Sequence, residues 1–230
     1  MPIAAHSATI IGMDLSTVAR AVTPFGEIAL RRRGDVVELI VNGVFAMDSA
    51  EVTSELALAD AAGADPGVVV VGGLGLGYTA AQLLANGATH VHVVELAEPL
   101  IDWARQGVTE QLESVAHDPR VTLHHGDIAD WLPRRDDAFD AVLLDVDNGP
   151  GFLIHDHNVR VYAADWLRVA SGRLRPGGLL AVWSEAPAPT LAGTLGGLGR
   201  LTEQPIDVRR AGRRFDYMLY LLRRDSTGEP

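Results

Sequence analysis

The chain has 230 residues, 47% of them hydrophobic, and a formal net charge of −11 at pH 7. It contains no cysteine and no lysine, so all 19 basic residues are arginine; disulfides, thiolate nucleophiles, cysteine-held metals and lysine Schiff bases are excluded. The acidic balance argues against general binding to nucleic acid or an anionic membrane, and no apolar run approaches the roughly 20 residues of a membrane helix.

The first residues, "MPIAAHSATIIGMDL", lack the basic start and long apolar stretch of a secretory signal, which predicts a cytoplasmic protein. The next stretch, "GEIALRRRGDVVELIVNGVFAM", alternates apolar and polar residues around "RRRGD" and "NG", the pattern of a small antiparallel strand set with tight turns. "SAEVTSELALADAA" follows at helical spacing, with Ser49 placed to cap its start and Gly63 to end it. The expected organisation is a small β-strand region over 1–48 and a larger domain over 49–230.

From Val68 the rhythm changes. The apolar runs "GVVVVG", "HVHVVE", "RVTLHHGD", "FDAVLLDVD" and "LLAVWSE" alternate with the helical segments "TAAQLLANG", "PLIDWARQGVTEQLESV", "IADWL" and "VYAADWLRVASGRL". Near-continuous Val/Leu/Ile runs belong to strands buried on both faces, as in a parallel sheet. The predicted fold class is therefore α/β, a Rossmann-like doubly wound sheet. The end, "IDVRRAGRRFDYMLYLLRR", reads as an antiparallel strand pair around an Ala-Gly turn. Its arginines, like Arg31–Arg33, read as solvated turn charges rather than as a basic binding patch.

Gly72, Gly73, Gly75 and Gly77 sit between the first of these strands and its helix. Glycine lets a backbone turn sharply and approach a ligand, and the helix N-terminus offers unpaired N–H groups. Glu95 and Leu96 end the next strand, near the spacing at which an acid reaches a ribose hydroxyl. An adenosine-containing ligand is implied. Gly75-Leu76-Gly77-Tyr78-Thr79-Ala80 satisfies the dinucleotide pattern G-x-G-x-x-A, so a nicotinamide cofactor is an alternative. Gly73-Leu74-Gly75-Leu76-Gly77 equally gives the G-x-G-x-G of S-adenosylmethionine sites. The later strands favour the second. Asp127 lies just past the third strand, where a carboxylate can bond an adenine amino group, and Ile128 beside it can pack on the ring. Asp145 ends the fourth strand before a loop.

At these residues the sequence resembles the spermidine synthase (polyamine aminopropyltransferase) family, within the class I S-adenosylmethionine-dependent methyltransferase fold. The resemblance runs from about Gly26 to Leu222. It is carried by "NGVFAMDSAEVTSELALADAA", "VVVVGGLGLG", "DPRVTLHHGDIADWL", "FDAVLLDVDNGPG" and "LRPGGLLAVWSEAP". It implies an adenosyl donor bound by Gly73, Gly75, Glu95, Asp127 and Ile128, with Asp145 beside an acceptor amine. It also implies a small-molecule acceptor, with no nucleic acid or membrane partner, and allows pairing as a homodimer.

Three departures matter. The acid of the family's glycine turn is Gly75 here. That acid suits decarboxylated S-adenosylmethionine, whose tail has no carboxylate, and would repel the α-carboxylate of ordinary S-adenosylmethionine. Glycine removes the repulsion and is expected to free backbone N–H groups for that carboxylate. The family's Tyr-Gln pair is Thr53-Ser54, followed by Glu55. The second acid of the family's Asp-Ser-Ser-Asp loop aligns with Asn148, although Asp147 sits one residue away. These departures favour methyl transfer from S-adenosylmethionine to a small amine or hydroxyl. The alternative is aminopropyl transfer from decarboxylated S-adenosylmethionine, with nicotinamide binding or a non-catalytic role behind both. Asp145, assisted by Asp147, is expected to take or orient the acceptor proton.

His155 and His157 read first as polar loop residues, then as acceptor contacts, and last as metal ligands with Asp145 and Asp147; the expectation is no metal. Tyr162 and Trp166 are placed at helical spacing to share one face; both could wall an acceptor pocket, with core packing preferred, and Tyr162 is the substrate-contact candidate of the two. Glu185 ends a strand on the ligand edge. "PAPTLAGTLGGLGRL" suits either a mobile cover or a plain surface connection, and one of His124 and His125 is expected in the core.

Overall fold

The structure, a computed structural model, describes residues 15–210 and 212–225. Four strands come first: β1 (Leu15–Thr23), β2 (Gly26–Arg33), β3 (Val36–Val41) and β4 (Val44–Asp48). They form an antiparallel sheet in chain order. Turn residues fix the register. At the β3–β4 turn Asn42 takes φ 53° and Gly43 φ 76°, the left-handed pair a tight hairpin demands. β1 is an addition to what the alternation predicts.

α1 (Thr53–Asp60) then leads into β5 (Val68–Gly72), α2 (Tyr78–Ala85), β6 (His90–Glu95), α3 (Glu98–Arg105), α4 (Glu110–Ala116), β7 (Val121–His125) and α5 (Ile128–Trp131). After these come β8 (Phe139–Leu144), α6 (Ala164–Gly172), β9 (Leu174–Ser184), α7 (Pro189–Gly196), β10 (Arg200–Arg210) and β11 (Arg213–Arg223). The second sheet has the order β10-β11-β9-β8-β5-β6-β7. β9, β8, β5, β6 and β7 run parallel, while β11 is antiparallel to β9 and β10 to β11. This is the Rossmann-like α/β sheet with a closing antiparallel pair that the sequence rhythm predicts. Val69, Val70, Val71, Leu143 and Leu144 are at most 1% exposed, as strands covered on both faces require.

Local expectations fare unevenly. Ser49 does not cap α1: the N-cap is Val52 without a side-chain bond, and the Ser49 hydroxyl accepts the Val37 amide at 2.9 Å instead. Gly63 does end the segment, at φ 86°, with its amide on the Asp60 carbonyl. The single helix expected over "PLIDWARQGVTEQLESV" is two. Gly107 turns left-handed at φ 68°, and the Thr109 hydroxyl caps α4 by accepting the Leu112 amide at 3.2 Å. Tyr162 closes a 3-10 segment, Asp156–Tyr162, and Trp166 belongs to α6, so the two do not share a helix face. Trp166 is 9% exposed and its indole N–H donates to the Ala129 carbonyl at 2.9 Å, a core role. "PAPTLAGTLGGLGRL" forms α7, docked through Leu191 and Leu195 onto the core, a surface connection rather than a cover. His124 packs with His92 and Trp131. No helix among the described residues is long and apolar enough to cross a membrane.

Candidate active site

The carboxyl ends of β5, β6, β8 and β9 face the N-terminal sheet across a cavity of about 790 Å³. Open α/β sheets bind ligands at this edge. Glu27 and Asp48 reach the cavity from the N-terminal sheet, Glu55 from α1, and Glu95, Asp127, Asp145, Asp147 and Glu185 from the strand ends and their loops. Among the described residues, only Arg33 and Arg210 oppose them with formal positive charge, so the cavity favours cations.

Gly73 and Gly75 line the cavity floor. Gly73 has φ 94°, and a Cβ there would lie 2.4 Å from the Asp145 carbonyl oxygen, so only glycine fits. Gly75 has φ 53°, and a Cβ there would lie 2.8 Å from the Met47 sulfur. The turn's amides are largely committed. Gly73 donates to Val94 O and Gly77 to Leu74 O, both at 2.9 Å. Leu74 donates to Glu95 Oε2 at 2.8 Å, and Leu76 to Met47 Sδ at 3.3 Å. Met47 and Glu95 hold two of these amides, while among the described residues the Gly75 amide makes no hydrogen bond. Gly72 and Gly77 sit behind the lining.

Glu95 is 8% exposed. Its other oxygen accepts the Ala97 amide at 2.7 Å. Burial raises its carboxyl above the ordinary value, and these backbone donors pull it back. Each oxygen retains acceptor capacity beyond its amide partner. Leu96 lines the cavity next to it.

Asp127 is the N-cap of α5, accepting the Ala129 amide at 2.7 Å. Its second oxygen is paired with Arg160 at 2.5 Å, and the His157 ring lies 3.9 Å away. Ile128, 4% exposed, forms the neighbouring wall.

Asp145 is half-buried just past the end of β8, and Thr79 Oγ1 donates to its Oδ2 at 2.8 Å. Burial pushes its carboxyl up to about 6, against the pull of that hydroxyl. Glu55, 9% exposed, is pushed up to about 7 by burial and by the charge of Asp145. Ser54 Oγ holds Glu55 at 2.7 Å. A buried and a half-buried carboxyl thus act on each other, and near neutral pH the pair retains a proton.

The loop after β8 carries Asp147 at φ 52°, held by Asn158 Nδ2 at 2.8 Å. Burial raises its carboxyl and Asn158 opposes the rise. Asn148 and His155 line the cavity, and the Asn148 carbonyl accepts the Glu185 amide at 3.2 Å. Glu185 lines it too, its carboxyl raised by burial. Tyr162 stands behind this loop, its hydroxyl donating to Val146 O at 2.9 Å, and burial drives its phenol pKa upward. His157 is also off the lining; its ring centroid lies 5.1 Å from that of Phe25 in the β1–β2 turn. Among the described residues, no group of three or more His, Asp or Glu is arranged to hold a metal.

Sequence reading missed Met47, Thr79 and Arg210, and noted Glu55 only as the neighbour of a substituted pair. Thr79 had a signal, as a hydroxyl in the first turn of the helix after the glycines. Met47 had none, since its role exists only where the two sheets meet.

A family model described as a methyltransferase domain matches residues 69–178. The polyamine aminopropyltransferase 2 of Hyperthermus butylicus is 30% identical over 130 residues, covering 54% of this chain and 39% of that protein. The Mycobacterium tuberculosis polyamine aminopropyltransferase is 28% identical over 180 residues, covering 75% of this chain and 34% of that one. The chain thus spans less than half the length of the curated relatives it matches. A crystal structure of spermidine synthase with the transition-state analogue AdoDATO superimposes with a TM-score of 0.75 at 14% identity, covering 90% of this chain and 73% of that one. Spermidine synthase from Thermotoga maritima gives 0.74 at 13%, covering 92% and 74%. The resemblance read from the sequence holds: the chain is similar to the polyamine aminopropyltransferases, on a class I methyltransferase-like fold.

Proposed function

We propose that this protein is a transferase that moves an aminopropyl group from decarboxylated S-adenosylmethionine to the amine of a small-molecule acceptor. The observation that carries the reading is the Asp145–Glu55 carboxyl pair lining an acidic cavity together with the glycine turn and Glu95. The similarity to aminopropyltransferases supports it. So does the charge of the cavity, since this donor carries a sulfonium and an amine but no carboxylate.

In this reading Glu95 takes the ribose hydroxyls, and the Asp127–Ile128 corner flanks the adenine. Gly73 and Gly75 let the backbone approach the donor. The reacting carbon is activated by its sulfonium, so the chain mainly aligns the acceptor. As the new N–C bond forms, the C–S bond breaks and methylthioadenosine leaves. The amine proton passes to Asp145, which its raised pKa equips as a base near neutrality. Asp147, Asn148 and Glu185 orient the acceptor, with His155 at its edge; Tyr162 and His157 support the loop. In this reading 1–48 is a small N-terminal β-strand region and 49–230 the donor-binding catalytic domain. A homodimer built on the N-terminal sheet is part of the reading, supported by Leu15 and Val22 exposed on its edge strand.

Methyl transfer from S-adenosylmethionine is the second reading. One observation favours it: Gly75 stands where the family's turn carries the acid that repels a donor carboxylate. Calorimetry with both donors and NAD, followed by product analysis with an amine acceptor, separates the readings. Tighter binding of the decarboxylated donor and an aminopropylated product are expected. Preference for S-adenosylmethionine with a methylated product would replace the first reading by the second, and preference for NAD would end both.

A further inference from the structure

The β10–β11 hairpin sequence "VRRAGRRF" reads as solvated charge, and for Arg209, Arg213 and Arg214 it is exposed. Arg210 differs. Ile206 and Val208 are buried on β10, and the two-residue period of a strand puts Arg210 on their side of the sheet. Its side chain is 24% exposed and lines the cavity. The guanidinium sits over the Phe45 ring, 4.8 Å from the centroid. Nη2 donates to the Glu51 carbonyl at 3.3 Å, and Nε lies 3.5 Å from Asp48 Oδ2. Among the described residues, Nε makes no hydrogen bond. Asp48 spends its other oxygen on the Ala50 and Glu51 amides, each at 3.0 Å. These contacts fix the orientation of a planar fork with five donors and leave most of them free for a ligand.

Glu55 feels both Asp145 and Arg210, and the Tyr217 phenol feels Arg210, Glu55 and Glu185 together. One oriented guanidinium therefore stands among the carboxyls that line the cavity. A diamine has a cation at each end and gains nothing from an arginine. A carboxylate matches the fork.

We propose that the acceptor carries a carboxylate as well as an amine, as an amino acid with a side-chain amine does. Arg210 receives the carboxylate, and the Asp145–Glu55 side receives the reacting amine. This rests on the transferase reading above.

Ornithine and putrescine differ only in the carboxylate, so they test it directly. Calorimetry and steady-state kinetics with the whole protein are expected to favour ornithine at least tenfold in both affinity and kcat/KM. Arg210→Gln should bring that ratio close to one. Arg210→Lys, which keeps the charge and the Asp48 contact, should keep a preference of more than twofold, guarding against a folding defect in the first variant. Equal use of the two amines, preference for putrescine, or an ornithine preference untouched by R210Q overturns the proposal. Donor binding in the same samples keeps the two ideas apart. A protein that binds a donor yet prefers putrescine keeps the proposed function and loses this inference. One that binds ornithine through Arg210 but neither donor keeps the carboxylate site and loses the transferase.

Discussion

The Met47 thioether accepts the Leu76 amide hydrogen at 3.3 Å, joining the last strand of the N-terminal sheet to the glycine turn of the second. The same sulfur stands 2.8 Å from where a Cβ on Gly75 would lie. The turn's conformation and the sheet-to-sheet contact are one structural unit. Gly75→Ala should lose roughly 1–2 kcal/mol from its left-handed backbone alone, plus a clash against Met47. Met47→Ala relieves only the clash, so the double variant should be less destabilised than the sum of the singles. Denaturant unfolding in a double-mutant cycle checks this; strict additivity would show that the two residues do not interact.

The proposed base sets a pH limb. Asp145 must be ionised to accept a proton, so kcat should fall as pH drops through about 6. Asp145→Asn should reduce turnover by about 10²–10⁴-fold while donor affinity stays within twofold. Normal turnover by that variant would remove Asp145 from the chemistry.

Thr79 and Glu55 should act differently on that limb. Thr79 donates a hydrogen bond that favours the charged form of Asp145, so Thr79→Val should shift the limb to higher pH. Glu55, held at about 7, is still largely protonated while Asp145 titrates near 6, so Glu55→Gln replaces a neutral group and should leave the limb in place. A kinetic pH profile of each variant reads the shift, and a limb lowered by about a unit or more in Glu55→Gln would break the argument.

Glu55 also links stability to pH. Its carboxyl is held at about 7 against an ordinary 4.5, so the folded state binds the extra proton. That contribution is full below about 4.5 and is lost as pH rises through 7. Glu55→Gln should therefore stabilise the protein more at pH 8 than at pH 5, by roughly 2–3 kcal/mol. Thermal melts at both values test it; an equal effect at both would mean that Glu55 titrates normally.

His92 acts with the opposite sign. Burial and the neighbouring His90 and His124 push it down to about 4. The unfolded chain then binds more protons, so stability is lost as pH falls from about 6.5 towards 4. His92→Phe should flatten the acid side of the melting-temperature profile. An unchanged acid slope would place the lability elsewhere.

The sequence by itself determined the parallel sheet, its closing strand pair and the cluster of Gly73, Glu95, Asp127 and Asp145 at one edge. Those follow from local periodicity and from the rule that ligands bind at strand carboxyl ends, both written in neighbouring residues. Only the tertiary structure decided which groups face one another. Thr79 meets Asp145 across 66 residues, Met47 meets Leu76 across 29, and Arg210 turns from an apparently solvated hairpin into the cavity. It also broke one expected helix at Gly107 and gave Ser49 to Val37 instead of to a cap. The physical reason is that burial and long-range pairing set both the protonation of a carboxyl and the partner of an amide, and a one-dimensional pattern carries neither.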